Sequence, residues 1–301
     1  MSEGRSSLTL TWLGHSTVLV DVAGERLLTD PLLLRHNGPL RRRQPRPEPA
    51  TWERVDAVLL SHLHHDHAEL RSLRLLPGVP VLTSARNARW LRRHGIDGRG
   101  AEDWTDVGAV QVRLVTAVHH SRRMPHRPND ANGHLIRSAT TTLWAAGDTS
   151  LYDDMVGLPG LVGVRRLDVA LVPIGGWGPR LSAGHMGPVE AAEACVRTGA
   201  RYVLPVHWGT LHAPFMTWMS DWFDRPLDAF EDSLARAAPD CRLIRLAPGG
   251  TWSLPDQVDR SEEPQPPASG GAPTGTHATT VGGGPITGSA RRGPGSDRVA
   301  R

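Results

Sequence analysis

The sequence predicts a mixed α/β domain of two β-sheets with helices outside them, followed by a tail that does not pack. Three observations lead there. Alternating apolar and polar residues open the chain, and strand-like and helix-like segments then take turns twice over. From residue 255 onward, Gly, Pro, Ser, Thr and Arg leave almost nothing to bury. The expected division is a folded domain over residues 1–254 and a disordered tail over 255–301.

Residues 8–13 and 17–22 alternate as paired strands, Ala23 and Gly24 mark a turn, and 26–29 return as a third strand. A Pro- and Arg-rich stretch over 37–49 reads as a loop. Residues 55–60 form a short apolar strand, while 68–75 and 84–94 read as helices separated by a Pro-Gly-Val-Pro turn and a brief strand. Strands follow at 109–117, 134–136 and 141–146. A further strand at 167–173 ends in the Gly-rich loop 175–178, and Pro188 opens a helix to residue 197, since proline suits a first helical turn. The last elements are a strand at 202–206, a helix at 226–238 and a pair of strands at 242–246 and 251–254.

Composition narrows the function classes. The 301 residues suffice for one large domain or two small ones, and 39% hydrophobic content with 25 Pro and 32 Gly fits a chain of which part does not pack. Lysine is absent, so all 34 basic side chains are Arg; with 31 acidic ones the net charge is +3, and no extended basic face for nucleic acid is evident. Cys195 and Cys241 lie far apart and outside any Cys-x-x-Cys pair, which excludes a thiolate zinc ribbon and fits a reducing compartment. No apolar run is long enough for a signal peptide or a bilayer span, so the expectation is a cytoplasmic protein.

Residues 61–67 read Ser-His-Leu-His-His-Asp-His, directly after the strand at 55–60. Imidazole nitrogen and carboxylate oxygen are the ligands zinc accepts when no thiolate is available. A strand repeats every two residues, so His62 and His64 share a side and His65 points away. Asp66 and His67 fall in the turn that follows, aimed at a second position nearby. The tract is internal, unlike a purification tag.

Two metal positions need more ligands than this tract holds, and three later segments supply them at strand ends. They are His119 after the strand at 109–117, Asp148 in Ala-Gly-Asp-Thr at 146–149, and His207 in Pro-Val-His-Trp-Gly-Thr at 205–210. Singly, Gly-Asp-Thr is a common turn and helix cap, and a His after a strand is commonly structural. Together with the tract they complete two sites, which neither capping nor core packing predicts.

With these residues in place the chain resembles the metallo-β-lactamase-fold hydrolases. Within them it looks most like the branch containing N-acyl-phosphatidylethanolamine-hydrolysing phospholipase D and bacterial ascorbate-phosphate lactonase. The resemblance spans residues 8–254 and rests on ordered landmarks. They are Thr-Trp-Leu-Gly-His at 11–15, Leu-Thr-Asp-Pro at 28–31, the tract at 61–67, His-His-Ser at 119–121 and Ala-Gly-Asp-Thr at 146–149. Leu-Val-Pro-Ile-Gly at 171–175, Gly-His-Met-Gly-Pro at 184–188 and His-Trp-Gly-Thr at 207–210 complete the series. It implies a four-layer αββα sandwich, of α/β (α+β) class, with metals at one edge of the sheets.

Carried across residue by residue, the resemblance gives His62, His64 and His119 to a first zinc and Asp66, His67 and His207 to a second, with Asp148 bridging both. His119 rather than His120 matches the family position, and His120 stands where the phospholipase branch has an aromatic residue. His65, Ala68 and Glu69 depart from that branch's Tyr-Asp-His-Leu-Asp wording, which bears on pocket shape more than on metal binding.

The expected chemistry is that of a dinuclear zinc hydrolase, with manganese or iron as alternative metals. Two ions roughly 3.5–4 Å apart share a water and lower its pKa to near 7, so that a bridging hydroxide attacks a phosphorus or carbonyl centre. Asp148 would place that hydroxide. His185, where a helix starts, is the candidate donor to the leaving group, with helix capping as its alternative role; the helix end favours its neutral form. His15 and Asp30 are expected to orient ligands by hydrogen bonds. The Arg run at 41–43, with Arg123 and Arg180, offers phosphate contacts, or in a Pro-rich loop is simply solvated.

The leading expectation is a phosphodiesterase of phospholipase D type, acting on a small-molecule or lipid-like ester. A lactonase or amide hydrolase with the same metals is the alternative. Flavin-linked diiron oxidoreductases share the fold but place Glu where this chain has His64. A nuclease would need a basic arm that is not evident, and a non-catalytic metal-binding or regulatory module ranks last because the ligand set is not degenerate.

Overall fold

A computed structural model describes residues 8–101, 103–119, 126–128, 130–178, 181–214 and 223–255. All belong to one compact unit, within Met1–Pro264. The expected tail lies outside the described residues apart from Pro255, as do Arg123, Arg180 and His120.

The first half runs β1 (Thr9–Gly14), β2 (Thr17–Val22), β3 (Glu25–Thr29), β4 (His36–Asn37), β5 (Leu40–Arg42), α1 (Pro49–Trp52) and β6 (Ala57–Leu59). It continues through α2 (Leu70–Leu73), β7 (Val81–Thr83), α3 (Ala85–Arg93) and β8 (Gly98–Gly100). The second half runs β9 (Thr105–Val107), β10 (Val110–Thr116), β11 (Asn132–Arg137), β12 (Thr142–Ala145), a 3-10 turn (Asp153–Gly157), α4 (Leu158–Leu161) and β13 (Val169–Pro173). It closes with α5 (Pro188–Thr198), β14 (Tyr202–Val206), β15 (Leu211–His212), α6 (Arg225–Ala237), β16 (Arg242–Leu243) and β17 (Thr251–Ser253).

Among the described residues these strands form two seven-stranded sheets, in the orders β17-β1-β2-β3-β6-β7-β8 and β16-β14-β13-β12-β11-β10-β9. Each begins as an antiparallel meander and becomes parallel where helices enter the chain, from β3 onward in the first and from β12 onward in the second. The period of two along the early strands explains how one sheet serves two layers. Leu10, Trp12, Val18, Val20, Leu27 and Leu59 face a core shared with the second sheet, including Val112, Leu135, Leu143 and Leu171. The alternate residues Leu13, Leu19, Leu28 and Val58 face Trp52 of α1, Leu73 of α2, and Trp90 and Leu91 of α3. Ala191 of α5 with Phe230 and Leu234 of α6 extends the shared core. The result is a four-layer αββα sandwich. No helix among the described residues is long and apolar enough to cross a membrane.

Local signals account for the helix ends. Ser84 caps α3 by accepting the Asn87 amide at 3.2 Å, and α5 begins on Pro188 and ends on Gly199 in a left-handed conformation. Three expectations change. The helix at 68–75 shrinks to the single turn α2, because the non-helical segment that follows the tract at 61–67 runs on through its first residues. The strands near 242 and 251 do not pair with each other: β16 joins β14 and β17 joins β1, one in each sheet. The stretch expected as a loop at 37–49 holds β5 and the end of β4; β5 pairs with β4 on one side and β15 on the other in a three-stranded sheet over Leu32, Leu40 and Leu211.

Phe230 is fully buried where α6 meets the core, so Phe230→Ala should lower the unfolding free energy by about 3–5 kcal/mol. The urea midpoint measures it; a shift worth less than about 1 kcal/mol would mean α6 does not seal the core.

Candidate metal centre

The parallel pairing of β3 with β6 ends both strands at the same edge, and the chain leaves them as Asp30 and as the tract at 61–67. Asp30 sits between the two segments. It accepts hydrogen bonds from the Ser61 amide at 2.7 Å, the Ser61 hydroxyl at 2.7 Å and His67 Nδ1 at 2.8 Å. Since the Ser61 hydroxyl donates to Asp30, its oxygen accepts from His62 Nδ1 at 2.9 Å. One carboxylate thereby orients His67 directly and His62 through Ser61.

The other imidazoles are fixed by backbone carbonyls. His119 Nδ1 lies 2.8 Å from Gly184 O, and His207 Nδ1 lies 2.8 Å from Gly175 O. In all four rings the outer nitrogen donates, so Nε2 is the nitrogen that faces inward, where ligation requires it. Ligand nitrogens about 2.0–2.1 Å from a tetrahedral zinc stand roughly 3.3 Å from one another. His64 Nδ1 lies 2.9 Å from His62 Nε2 and 3.1 Å from His119 Nε2.

Two donor sets result. His62, His64, His119 and Asp148 form one, and Asp66, His67 and His207 form the other together with His15. Asp148 joins them, its Oδ2 standing 3.8 Å from His62 Nε2, 3.1 Å from His67 Nε2 and 3.4 Å from His207 Nε2. His67 Nε2, His207 Nε2 and Asp148 Oδ1 are buried without a hydrogen bond, an expensive state for polar atoms unless something else binds them. Burial, ahead of the charge of the neighbouring carboxylates, keeps His62 and His119 below the ordinary imidazole pKa and brings His64 down to about 4, so these rings are neutral and ready to ligate. His67 is the exception. Burial opposes its charge, but Asp148, Asp30 and Asp66 outweigh burial and hold its pKa well above the ordinary value. Carboxylates gathered this densely call for a cation, and the donor set fits a divalent metal centre.

The loops that carry these groups are tightly held. Arg127, stacked over Trp90 at 4.9 Å, donates from Nη1 to Leu63 O at 3.0 Å and Ala68 O at 3.1 Å, clamping both ends of the segment that carries His64, Asp66 and His67. Gly147 has φ +63, and a Cβ there would meet Ser61 Cβ at 2.6 Å, so glycine is what brings Asp148 over the tract. Among the described residues, three of the four non-glycine positions with positive φ belong to the site: His15 at 53°, Asp30 at 32° and His207 at 61°. Such conformations cost on the order of 1–3 kcal/mol each and persist only where surrounding contacts impose them. Those contacts are His207 N to His15 O at 3.0 Å, His15 N to Thr210 Oγ1 at 2.7 Å, and Trp12 Nε1 to His15 O at 2.9 Å with Trp12 stacked on Trp208.

The structure thus brings together His62, His64, Asp66, His67, His119, Asp148 and His207, with His15 3.1 Å from Asp66 and Asp30 behind the rings. His65 is exposed, its carbonyl taken by Asn37 Nδ2. His185 Nε2 lies 3.2 Å from Asp148 Oδ2, with Nδ1 3.0 Å from Ser182 O. The helix end predicted a neutral ring there. Burial favours that too, but Asp148 and the Ser182 carbonyl prevail and raise its pKa. Arg42, expected to be solvated or to grip phosphate in a loop, is buried and donates to Leu32 O and Leu13 O. Ser61 and Arg127 were not foreseen in any role; Ser61 stood in the tract's own pattern, whereas nothing marks Arg127.

Residues 25–208 match the family described as "Beta-lactamase superfamily domain". A UPF0173 metal-dependent hydrolase of Nitratidesulfovibrio vulgaris is 31% identical over 268 residues, which cover 84% of this chain and 97% of that protein. An N-acyl-phosphatidylethanolamine-hydrolyzing phospholipase D of Caenorhabditis elegans is 26% identical over 280 residues, covering 84% and 77%. Among solved structures, Igni18, a metallo hydrolase from Ignicoccus hospitalis, superposes with a TM-score of 0.64 at 21% identity over 83% of this chain and 99% of that one, a likeness of fold.

Asp30→Asn puts an NH2 where two donors now converge, and it should weaken metal affinity about 10- to 100-fold. Competition with a chromogenic chelator reads this directly; a curve superimposable on the wild type would contradict the role given to Asp30.

Proposed function

The chain belongs to the metallo-β-lactamase-fold superfamily and is a metal-dependent hydrolase, and from that premise we propose that it is a dinuclear zinc enzyme cleaving phosphodiesters or related esters. The observation that carries the dinuclear reading is the shared carboxylate: Asp148 belongs to the donor set of His62, His64 and His119, and its Oδ2 also stands 3.1 Å from His67 Nε2 and 3.4 Å from His207 Nε2 of the other set. His62, His64 and His119 would hold one ion, Asp66, His67 and His207 the other, and Asp148 both. The phospholipase D relative, alike over most of both chains, supports a phosphodiester substrate.

When bound, the ions supply an acidified water and neutralise charge on substrate oxygens. The protein's own groups do the rest. Asp148, buried but held well below the usual carboxylate range by His207 and His67, remains an anion that can orient the attacking water. His185 holds a proton at Nε2 against Asp148 and stands at the half-buried rim, placed to pass that proton to a leaving oxygen. His15, 3.1 Å from Asp66 and packed against His207 with the rings tilted and their centroids 4.1 Å apart, keeps two proposed ligands of the second position from turning.

Protein purified without chelator, or reconstituted, should contain two divalent ions per chain; fewer than one after reconstitution would sink this reading. Activity should appear on bis-p-nitrophenyl phosphate or a lipid phosphodiester, with hydrolysis of a lactone alone favouring the lactonase alternative. Asp148→Ala should lower turnover on the order of 100-fold or more, and unchanged turnover contradicts the mechanism. His185→Gln should slow esters with alkoxide leaving groups while sparing p-nitrophenyl esters, whose leaving group needs no proton; equal losses would assign His185 to structure.

A further inference from the structure

We propose that the cleft beside β5, lined by Arg35, Arg42, Arg43, Gln44 and Arg46, binds a phosphate group, either free or carried on a part of the substrate remote from the scissile bond. The cleft encloses about 540 Å³, ample for a phosphate and part of the molecule that bears it. One of its lining residues is a buried cation. Arg42 is 5% exposed, and its guanidinium donates only to neutral carbonyls, Nη1 to Leu32 O at 2.9 Å and Nη2 to Leu13 O. Nε is buried with no hydrogen bond. Among the described residues no carboxylate forms an ion pair with Arg42; Glu69 acts on it only through space.

A guanidinium does not shed its charge, so a buried one without an anion beside it is costly. Burial strains the charge far enough to bring the Arg42 pKa down to about 10. The rest of the cleft adds positive charge. Arg35 and Arg46 are exposed, whereas Arg43, over the Phe223 ring, is paired with Asp224 through both terminal nitrogens, at 3.0 Å and 3.4 Å, and donates to Gly209 O at 3.2 Å. Gln44 Oε1 is also buried without a partner, and an amide flip puts the Gln44 NH2 in its place as a donor. Forked cationic donors around an amide suit the several acceptor oxygens and double charge of a phosphate.

The position gives such binding a consequence. Arg43 N donates to Thr210 O at 2.8 Å, and Thr210 Oγ1 in turn receives the His15 amide, so a phosphate gripping Arg43 bears on the segment that follows His207. This inference goes beyond the hydrolase reading, and its primary readout is binding.

Isothermal titration of the metal-loaded protein with inorganic phosphate at low ionic strength tests it. The comparison is wild type against Arg35→Ala/Arg46→Ala, two exposed positions outside the metal site, with unfolding midpoint and metal content as controls. Phosphate that binds the metals is common to both proteins. The wild type should show one further site that the double variant loses or binds at least tenfold more weakly, and Arg35→Lys/Arg46→Lys should recover part of it. Superimposable titrations of wild type and alanine variant would overturn the proposal. A KM rise in the alanine variant confined to substrates bearing a second phosphate assigns the group to the substrate. A phosphate effect on rate seen in the wild type and lost in the variant assigns it to free phosphate.

Discussion

The hydrogen bonds converging on Asp30 are the constraint on which the site depends. A single buried carboxylate takes the Ser61 amide, the Ser61 hydroxyl and His67 Nδ1, and through Ser61 it also sets the His62 ring. Both donor sets are therefore referenced to one anchor. The anchor exists because β3 and β6 run parallel and end together, and because the Asp30 backbone enters the left-handed region to turn its carboxylate toward the tract. The Asp30 amide and carbonyl are held by Leu59 O at 3.1 Å and Thr17 Oγ1 at 2.8 Å, so the strained turn is tied to two strands.

The same logic extends to the second sheet. His207 and His15, both left-handed, meet across the gap between β14 and β1, and the Trp12–Trp208 stack with 5.3 Å between ring centroids stiffens that junction. Thr149 links the His119 and Asp148 loops by accepting the Val118 amide at 2.9 Å. Candidate donors drawn from the ends of strands in two sheets keep their geometry because the strand ends are bonded to one another, and the apolar layers below hold the sheets face to face. Strain at three site residues is a cost that this packing offsets, consistent with a site shaped for a cation rather than for the stability of the empty fold.

Much of this was legible in the chain. The alternation in β1 and β2 gave both faces of the first sheet, Ser84 and Pro188 marked true helix starts, and the tract with His119, Asp148 and His207 named the residues that the fold gathers. What escaped depends on distant partners. β4 and β5 are too short to show a period, and β5 is held between β4 and β15, which lies far along the chain. Arg42 looked like part of a solvated run, yet its place between the Leu32 and Leu13 carbonyls draws it inside. The Gly175 and Gly184 carbonyls that fix two imidazoles belong to the backbone and carry no residue signature, and the pairing of His185 with Asp148 overrides the helix-end effect that local sequence suggests.

The most direct test of the account is anomalous diffraction at the zinc edge from crystals of the zinc-reconstituted protein. Two peaks flanking Asp148, one against His62, His64 and His119 and the other against Asp66, His67 and His207, are the predicted result. A single peak, or density that leaves Asp148 outside the coordination of either ion, would contradict it.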